Sequence, residues 1–448
     1  MTTNPGWCRL LTAAACALAI AACGGGPDAQ KADVDEDIAS FVSDIRAVDN
    51  HSHPNSVASG DADTDALPLD GIAPFELPLR LRPDHPIWLA AFKALYQYKY
   101  DDLTEAHLAE LRAATQSTAQ TQGDKFPVWV LEQVKTEVIL ANRIALGPGL
   151  APPRVRWVAF ADPFLYPLST KNEAAVTPDR EKLFPLEDKL LRRYLGDLHV
   201  DTLPDALDAY LKTIVTATLE AEKRAGAVAI KFEAAYLRAL DFGDTPAATA
   251  ASIYAKYVKG GDPSKADYKL LQDFIFRYIA REAGRLGLAV HIHSFEGAGN
   301  YYDIAGSDPL LLEPVFDDPS LRKTHFVIIH SGGLFASHTA ALLWKPNVFA
   351  DTSLMSLAYT PATLANILRG WLTTFPEKVL YGSDAVAFTA DAGWEATAWV
   401  ASYTVRSALS QALTQMFRNS EIDKPRARAI ARMVMRMNAS RLYGLDLR

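Results

Sequence analysis

Five histidines, one lysine and one aspartate stand at the ends of short apolar runs, and together they have the chemistry of a divalent-metal site. His51 and His53 follow the first run, in Val48-Asp49-Asn50-His51-Ser52-His53-Pro54. In an extended chain residues i and i+2 point the same way, so both imidazoles can face one ion. His293 ends Ala289-Val290-His291-Ile292-His293, next to a glycine-rich loop, and is read as a ligand. His291 has the same parity but lies deeper, as a hydrogen-bonded support. His330 ends Phe326-Val327-Ile328-Ile329-His330, and Asp384 ends Val379-Leu380-Tyr381-Gly382-Ser383-Asp384. Lys231 emerges from Ala229-Ile230-Lys231-Phe232, where an unpaired ammonium is costly; a desolvated lysine can instead lose its proton and react with carbon dioxide. Each feature has a plainer explanation: a surface histidine pair, a buried capping histidine, or a helix N-cap for Asp384. Tyr236 and Arg238, just beyond Lys231, are read as substrate contacts or as ordinary loop residues.

The elements that must position these groups are read from the same runs. Ile45–Asn50, Thr136–Leu140, Val155–Phe160, Val228–Phe232, Ala289–His293, Phe326–His330, Val348–Asp351 and Val379–Tyr381 are continuously apolar rather than alternating. That pattern suits parallel strands buried on both faces. Eight of them, separated by helical patterning, predict an α/β fold, a (β/α)8 TIM barrel, with catalytic groups at the C-terminal strand ends. Pro86 to Lys135 predicts a helical insertion between the first and second strands, over the barrel mouth. Residues 161–226 form a long connection with a helix over Pro204–Arg224, and Pro425–Leu445 a final helix ending at Gly444.

Taken in order, the set resembles the amidohydrolase superfamily, whose motif is His-x-His after strand one, Lys or Glu after strand four, His after strands five and six, and Asp after strand eight. Asn438-Ala439-Ser440-Arg441-Leu442-Tyr443-Gly444-Leu445 is similar to that family's terminal helix. Lys231 with Ala234-Ala235-Tyr236, Asp308-Pro309-Leu310-Leu311-Leu312 and Tyr381-Gly382-Ser383-Asp384 resemble the amidohydrolase-related branch that includes domains fused to glutamine-synthetase-like modules. The resemblance implies one or two divalent ions, zinc by expectation, on His51, His53, Lys231, His293, His330 and Asp384, with Lys231 carboxylated in the two-ion form. It also implies metal-activated water attacking an amide, ester or lactone, with Asp384 moving the proton. His330 is either a second-ion ligand or a stabiliser of the oxyanion. Two other readings stand beside hydrolysis: a lyase that decarboxylates or hydrates a small carboxylic acid, and a non-catalytic binding lipoprotein.

The 448-residue chain has 49% hydrophobic and 22% charged residues and a net charge of −8. This is a globular composition, ample for a large core. Basic residues form no dense run, which argues against a nucleic-acid partner. Leu10 to Ala22 is apolar and small, and ends Ile20-Ala21-Ala22-Cys23 before three glycines. It reads as a secretory signal over 1–22 and resembles a bacterial lipobox. That implies lipid on Cys23, a tether over 23–37, a catalytic domain over 38–448, and a place in the cell envelope at the outer membrane facing the periplasm. All three cysteines (Cys8, Cys16, Cys23) lie in this segment. A metal site in the body must therefore use histidines and carboxylates.

Overall fold

The computed structural model describes residues 34–57 and 60–447. The signal segment, Cys23 and most of the tether lie outside the described residues. Eight strands form one parallel sheet in chain order: β1 (Ala47–Ser52), β2 (Thr136–Asn142), β3 (Val155–Phe160), β4 (Ala227–Phe232), β5 (Ala289–His293), β6 (Phe326–Ile329), β7 (Val348–Asp351) and β8 (Val379–Leu380). The sheet curls until its edges meet. Asn50 N donates to Tyr381 O (2.8 Å), Asp384 N to His51 O (2.8 Å) and His53 N to Ala385 O (2.7 Å). The architecture is a (β/α)8 barrel.

The continuous apolar runs follow from burial on both faces. Outward-facing Ile230, Phe232, Val290, Ile292 and Ile328 pack against the helical ring. Inward-facing Val48, Val138, Leu140, Val158, Ala229, Ala289, Val327, Ile329 and Leu380 form an apolar layer with Ala439 and Leu445 of the chain's C-terminal end. Above it, the same parity brings Lys231 and His291, register partners on β4 and β5, into the interior.

Three helices lie between β1 and β2: α2 (Pro86–Tyr96), α3 (Glu105–Gln122) and α4 (Phe126–Gln133), after α1 (Glu36–Asp44). Val130 and Leu131 of α4 pack on Ile139 and Ala141 of β2. Helix α2 leans on the helix Trp394–Arg418 that follows β8, and Trp88 stacks on Phe388 at 6.0 Å. The insertion is thus seated against the β8 side of the rim.

Three details differ from the sequence reading. Residues 36 and 37, read as the end of the tether, lie in α1, which Asp35 caps by accepting from Ile38 N (3.1 Å). The β3–β4 connection holds a 20-residue helix, Pro178–Asp197, whose pattern is interrupted by Pro185; an internal proline ordinarily marks a helix end. The helix expected over Pro204–Arg224 starts at Leu207 and carries a π-helical stretch, Leu211–Thr216.

Candidate metal centre

The strand ends bring these side chains into one buried cluster. His51 and Lys231 have no exposure, and His330, His293, His53 and Asp384 retain at most 9%. The ring centroids of His51 lie 5.1 Å from those of both His53 and His330, and His293 is 4.7 Å from His330. Asp384 Oδ1 stands 3.1 Å from His51 Nε2 and 3.7 Å from His53 Nε2. His51, His53 and Asp384 each offer a ligand atom, all within 4.8 Å of one another. Lys231 Nζ reaches to 3.3 Å from His51 Nε2.

Backbone geometry helps to aim these groups. Both His330 (φ 63°) and Asp384 (φ 58°) occupy the left-handed region, which few non-glycine residues adopt and where strain gathers at functional sites. The surroundings hold them there. His330 N donates to Asp351 Oδ1 (2.8 Å), and the neighbouring Ser383 N donates to Asp49 Oδ1 (2.9 Å). Ser353 Oγ lies 2.8 Å from His330 Nδ1 and donates to Asp351 (2.8 and 2.9 Å). Its single proton goes to the carboxylate, so His330 Nδ1 must donate and Nε2 keeps a lone pair. His291 points below the site. Its Nε2 is 2.7 Å from Tyr443 Oη, which itself donates to Asn50 Oδ1, so His291 serves as a core hydrogen-bond donor.

Burial favours the neutral form of His51, His291, His293 and His330, the form in which an imidazole ligates metal. Desolvation, then the nearby Lys231, pushes His51 and His293 well below the ordinary histidine value. Desolvation, then His293, does the same to His330; burial and Lys231 bring His291 to about 3. Burial also raises Asp384, against the pull of His53 and Lys231. The expected result in metal-free protein with ¹⁵N-labelled histidine is that these four rings remain neutral at pH 6. An ordinary histidine, with a pKa of about 6.5, is mostly charged there. Midpoints near the ordinary value would contradict the geometry.

The donor set fits a divalent ion once the Asn142 amide turns its unpartnered Oδ1 toward His51 Nδ1 and so frees His51 Nε2: imidazole nitrogens, one carboxylate, and a buried His293 Nε2 with no hydrogen-bond partner. Tyr236 also borders the site, its ring 4.7 Å from His293. Arg238 is not brought there. Its guanidinium is spent on Gln272 Oε1 (2.9 Å) and Asp273 Oδ1 (2.7 Å) and lies over Phe242. Sequence reasoning missed three neighbours. Asn142 Nδ2 lies 2.8 Å from His51 Nδ1. Glu233, two residues beyond Lys231, approaches Nζ at 3.9 Å and carries a buried, unpartnered Oε2. Asp65 stands 3.1 Å from His53 Nδ1. The parity of Glu233 with Lys231 was the one available signal for it.

Residues 202–445 match the family model described as amidohydrolase, more than half of the chain. The chain belongs to the amidohydrolase family. Solved structures similar to this chain include a glucuronate isomerase from Caulobacter crescentus (TM-score 0.60, 15% identity, covering 92% of this chain and 94% of that one). A protein from Lactobacillus casei described as a metal-dependent hydrolase has a TM-score of 0.57 at 15% identity, covering 91% and 97%. A uronate isomerase from Thermotoga maritima has a TM-score of 0.55 at 13% identity, covering 91% and 96%. At these identities the likeness is one of fold. No curated protein matches the chain.

Proposed function

We propose that this amidohydrolase-family protein is a metal-dependent hydrolase that cleaves an amide, ester or lactone bond of a small polar substrate. The observation that carries the reading is the convergence of His51, His53 and Asp384 ligand atoms within 4.8 Å, deep at the strand ends. A divalent ion, zinc by donor type, held by these residues and His293 would supply Lewis acidity, lowering the pKa of water to about 7 and polarising a carbonyl. Asp384 takes the water's proton on its carboxylate and returns it to the leaving group. Its burial-raised pKa suits a group that must hold and release a proton. His330 presents its Nε2 lone pair to the same space, as a base or as a ligand. Lys231, carboxylated, would join His330 around a second ion.

A second reading rests on one contact. Lys231 Nζ stands 3.3 Å from His51 Nε2, in the space a second ion would need; with the amine left uncarboxylated His330 is free as acid or base, as a one-ion lyase requires. Zinc-loaded protein assayed on N-acyl amino acids, dipeptides, esters and lactones, with small carboxylic acids in parallel, separates the two. Bond cleavage with uptake of water is expected. Decarboxylation or hydration of a carboxylic acid, with no hydrolysis of any amide, ester or lactone, would transfer the protein to the lyases. On whichever hydrolysed substrate is found, His330→Ala is expected to keep the zinc held by His51, His53 and Asp384 and lose about 10²–10⁴ in kcat. Unchanged turnover with a lowered Tm would reduce His330 to a packing role.

A further inference from the structure

The loop after β1 carries aspartates at alternate positions, Asp61-Ala62-Asp63-Thr64-Asp65. Such spacing also begins calcium loops, yet each carboxylate here is engaged by a different part of the barrel. Asp61 accepts from Arg143 Nη2 (2.6 and 2.7 Å), just beyond β2, and the same guanidinium donates to Pro54 O (2.8 Å). Asp63 is bound by both Nη atoms of Arg193 on helix Pro178–Asp197, and its carbonyl accepts from Ile144 N (3.1 Å). Asp65 reaches the cluster itself, with Oδ2 3.1 Å from His53 Nδ1. The segment is a strap pinned at two points so that its third carboxylate meets an imidazole of the candidate metal centre.

We propose that Asp65 is the positioning residue for His53, setting its tautomer and ring orientation so that Nε2 offers its lone pair. A neutral imidazole has one N–H and one lone pair. With the proton on Nδ1 facing Asp65, Nε2 is free, and Nε2 is the atom turned toward Asp384 (3.7 Å). A carboxylate on the far nitrogen also raises the ring's basicity as a ligand. His51 and His330 have only neutral partners at Nδ1, Asn142 and Ser353, so Asp65 gives His53 what the other two lack. His53 Nδ1 has no aligned hydrogen bond in this structure; bonds of this kind commonly tighten when the site is filled.

A competing arrangement is a second ion between His53, Asp65 and Glu233, whose ligand atoms also lie within 4.8 Å of one another. An ion on the Asp65 side of the ring would take the Nδ1 lone pair, which puts the proton on Nε2 and removes His53 from the first group. One neutral ring cannot serve both. The inference rests on the reading that His51, His53 and Asp384 hold an ion, but not on hydrolysis.

Zn²⁺ affinity and stoichiometry, measured by chelator competition on the full chain, test it. Asp65→Asn is expected to bind the same number of zinc ions about 10–100-fold more weakly, with the metal-free melting temperature near wild type. Asp65→Glu, which keeps the carboxylate, should recover part of the loss and serves as the readout if the asparagine variant does not fold. The ¹⁵N shifts of metal-free wild type should report the Nδ1–H tautomer for His53, and those of Asp65→Asn a mixture. Unchanged affinity in both variants overturns the proposal. So does loss of one whole zinc equivalent with the remaining affinity intact, which would make Asp65 a ligand. Full zinc retention in a His51→Ala/His53→Ala variant would instead refute the metal centre itself.

Discussion

Asparagine at position 384 is expected to leave a folded protein whose turnover is at least about 10²–10⁴-fold below wild type at saturating zinc, the range associated with loss of a positioned proton-transfer group. The shape of the side chain survives the change and its proton chemistry does not. Asp384 Oδ1 lies between His51 Nε2 and His53 Nε2, where an amide presents either a weaker neutral oxygen or an NH₂ group. The backbone at this position is left-handed, φ 58°, a conformation that aspartate and asparagine tolerate better than most residues. The variant should therefore fold, and its loss should appear in kcat at every zinc concentration. Turnover within threefold of wild type would remove Asp384 from the proton path.

The His51→Ala/His53→Ala variant should show the largest effect on metal. Elemental analysis after loading and desalting is expected to give at least one equivalent of zinc for wild type and close to none for the double variant. Two of the four ligands proposed for the first ion go at once, and the two left to it, His293 and Asp384, are too few for a tetrahedral protein site. Lys231 also loses its closest nitrogen neighbour, His51 Nε2 at 3.3 Å, so a fall in Tm should accompany the loss. Equal zinc in both proteins would show that the ion sits elsewhere.

The barrel was legible in the chain because parallel strands are buried on both faces, and a run such as Phe326-Val327-Ile328-Ile329 leaves no other economical place for four consecutive apolar side chains. The strand-end histidines were legible for a related reason: polar groups directly after such runs must emerge at the mouth. His293 and His291 could be ranked in the sequence by depth alone; in the structure His291 Nε2 lies 2.7 Å from Tyr443 Oη. The helix Pro178–Asp197 was hidden by Pro185, whose local signal contradicts the tertiary packing of Leu183, Phe184, Leu190 and Tyr194.

The chain by itself determined the chemistry on offer, because residue types and strand parity are local properties. It places imidazoles at i and i+2 after one strand, a lysine inside another, and a carboxylate after the last, and it withholds every cysteine from the body. The tertiary structure decided which polar groups meet. Arg238, open in the sequence as a substrate contact or an ordinary loop residue, is held by Asp273. Asp65 looked like one of several loop aspartates and stands against His53. Both outcomes depend on contacts between segments far apart in sequence or set in irregular loops. There no periodicity records which way a side chain points, and the deciding quantity is the cost of leaving a buried charge without a partner.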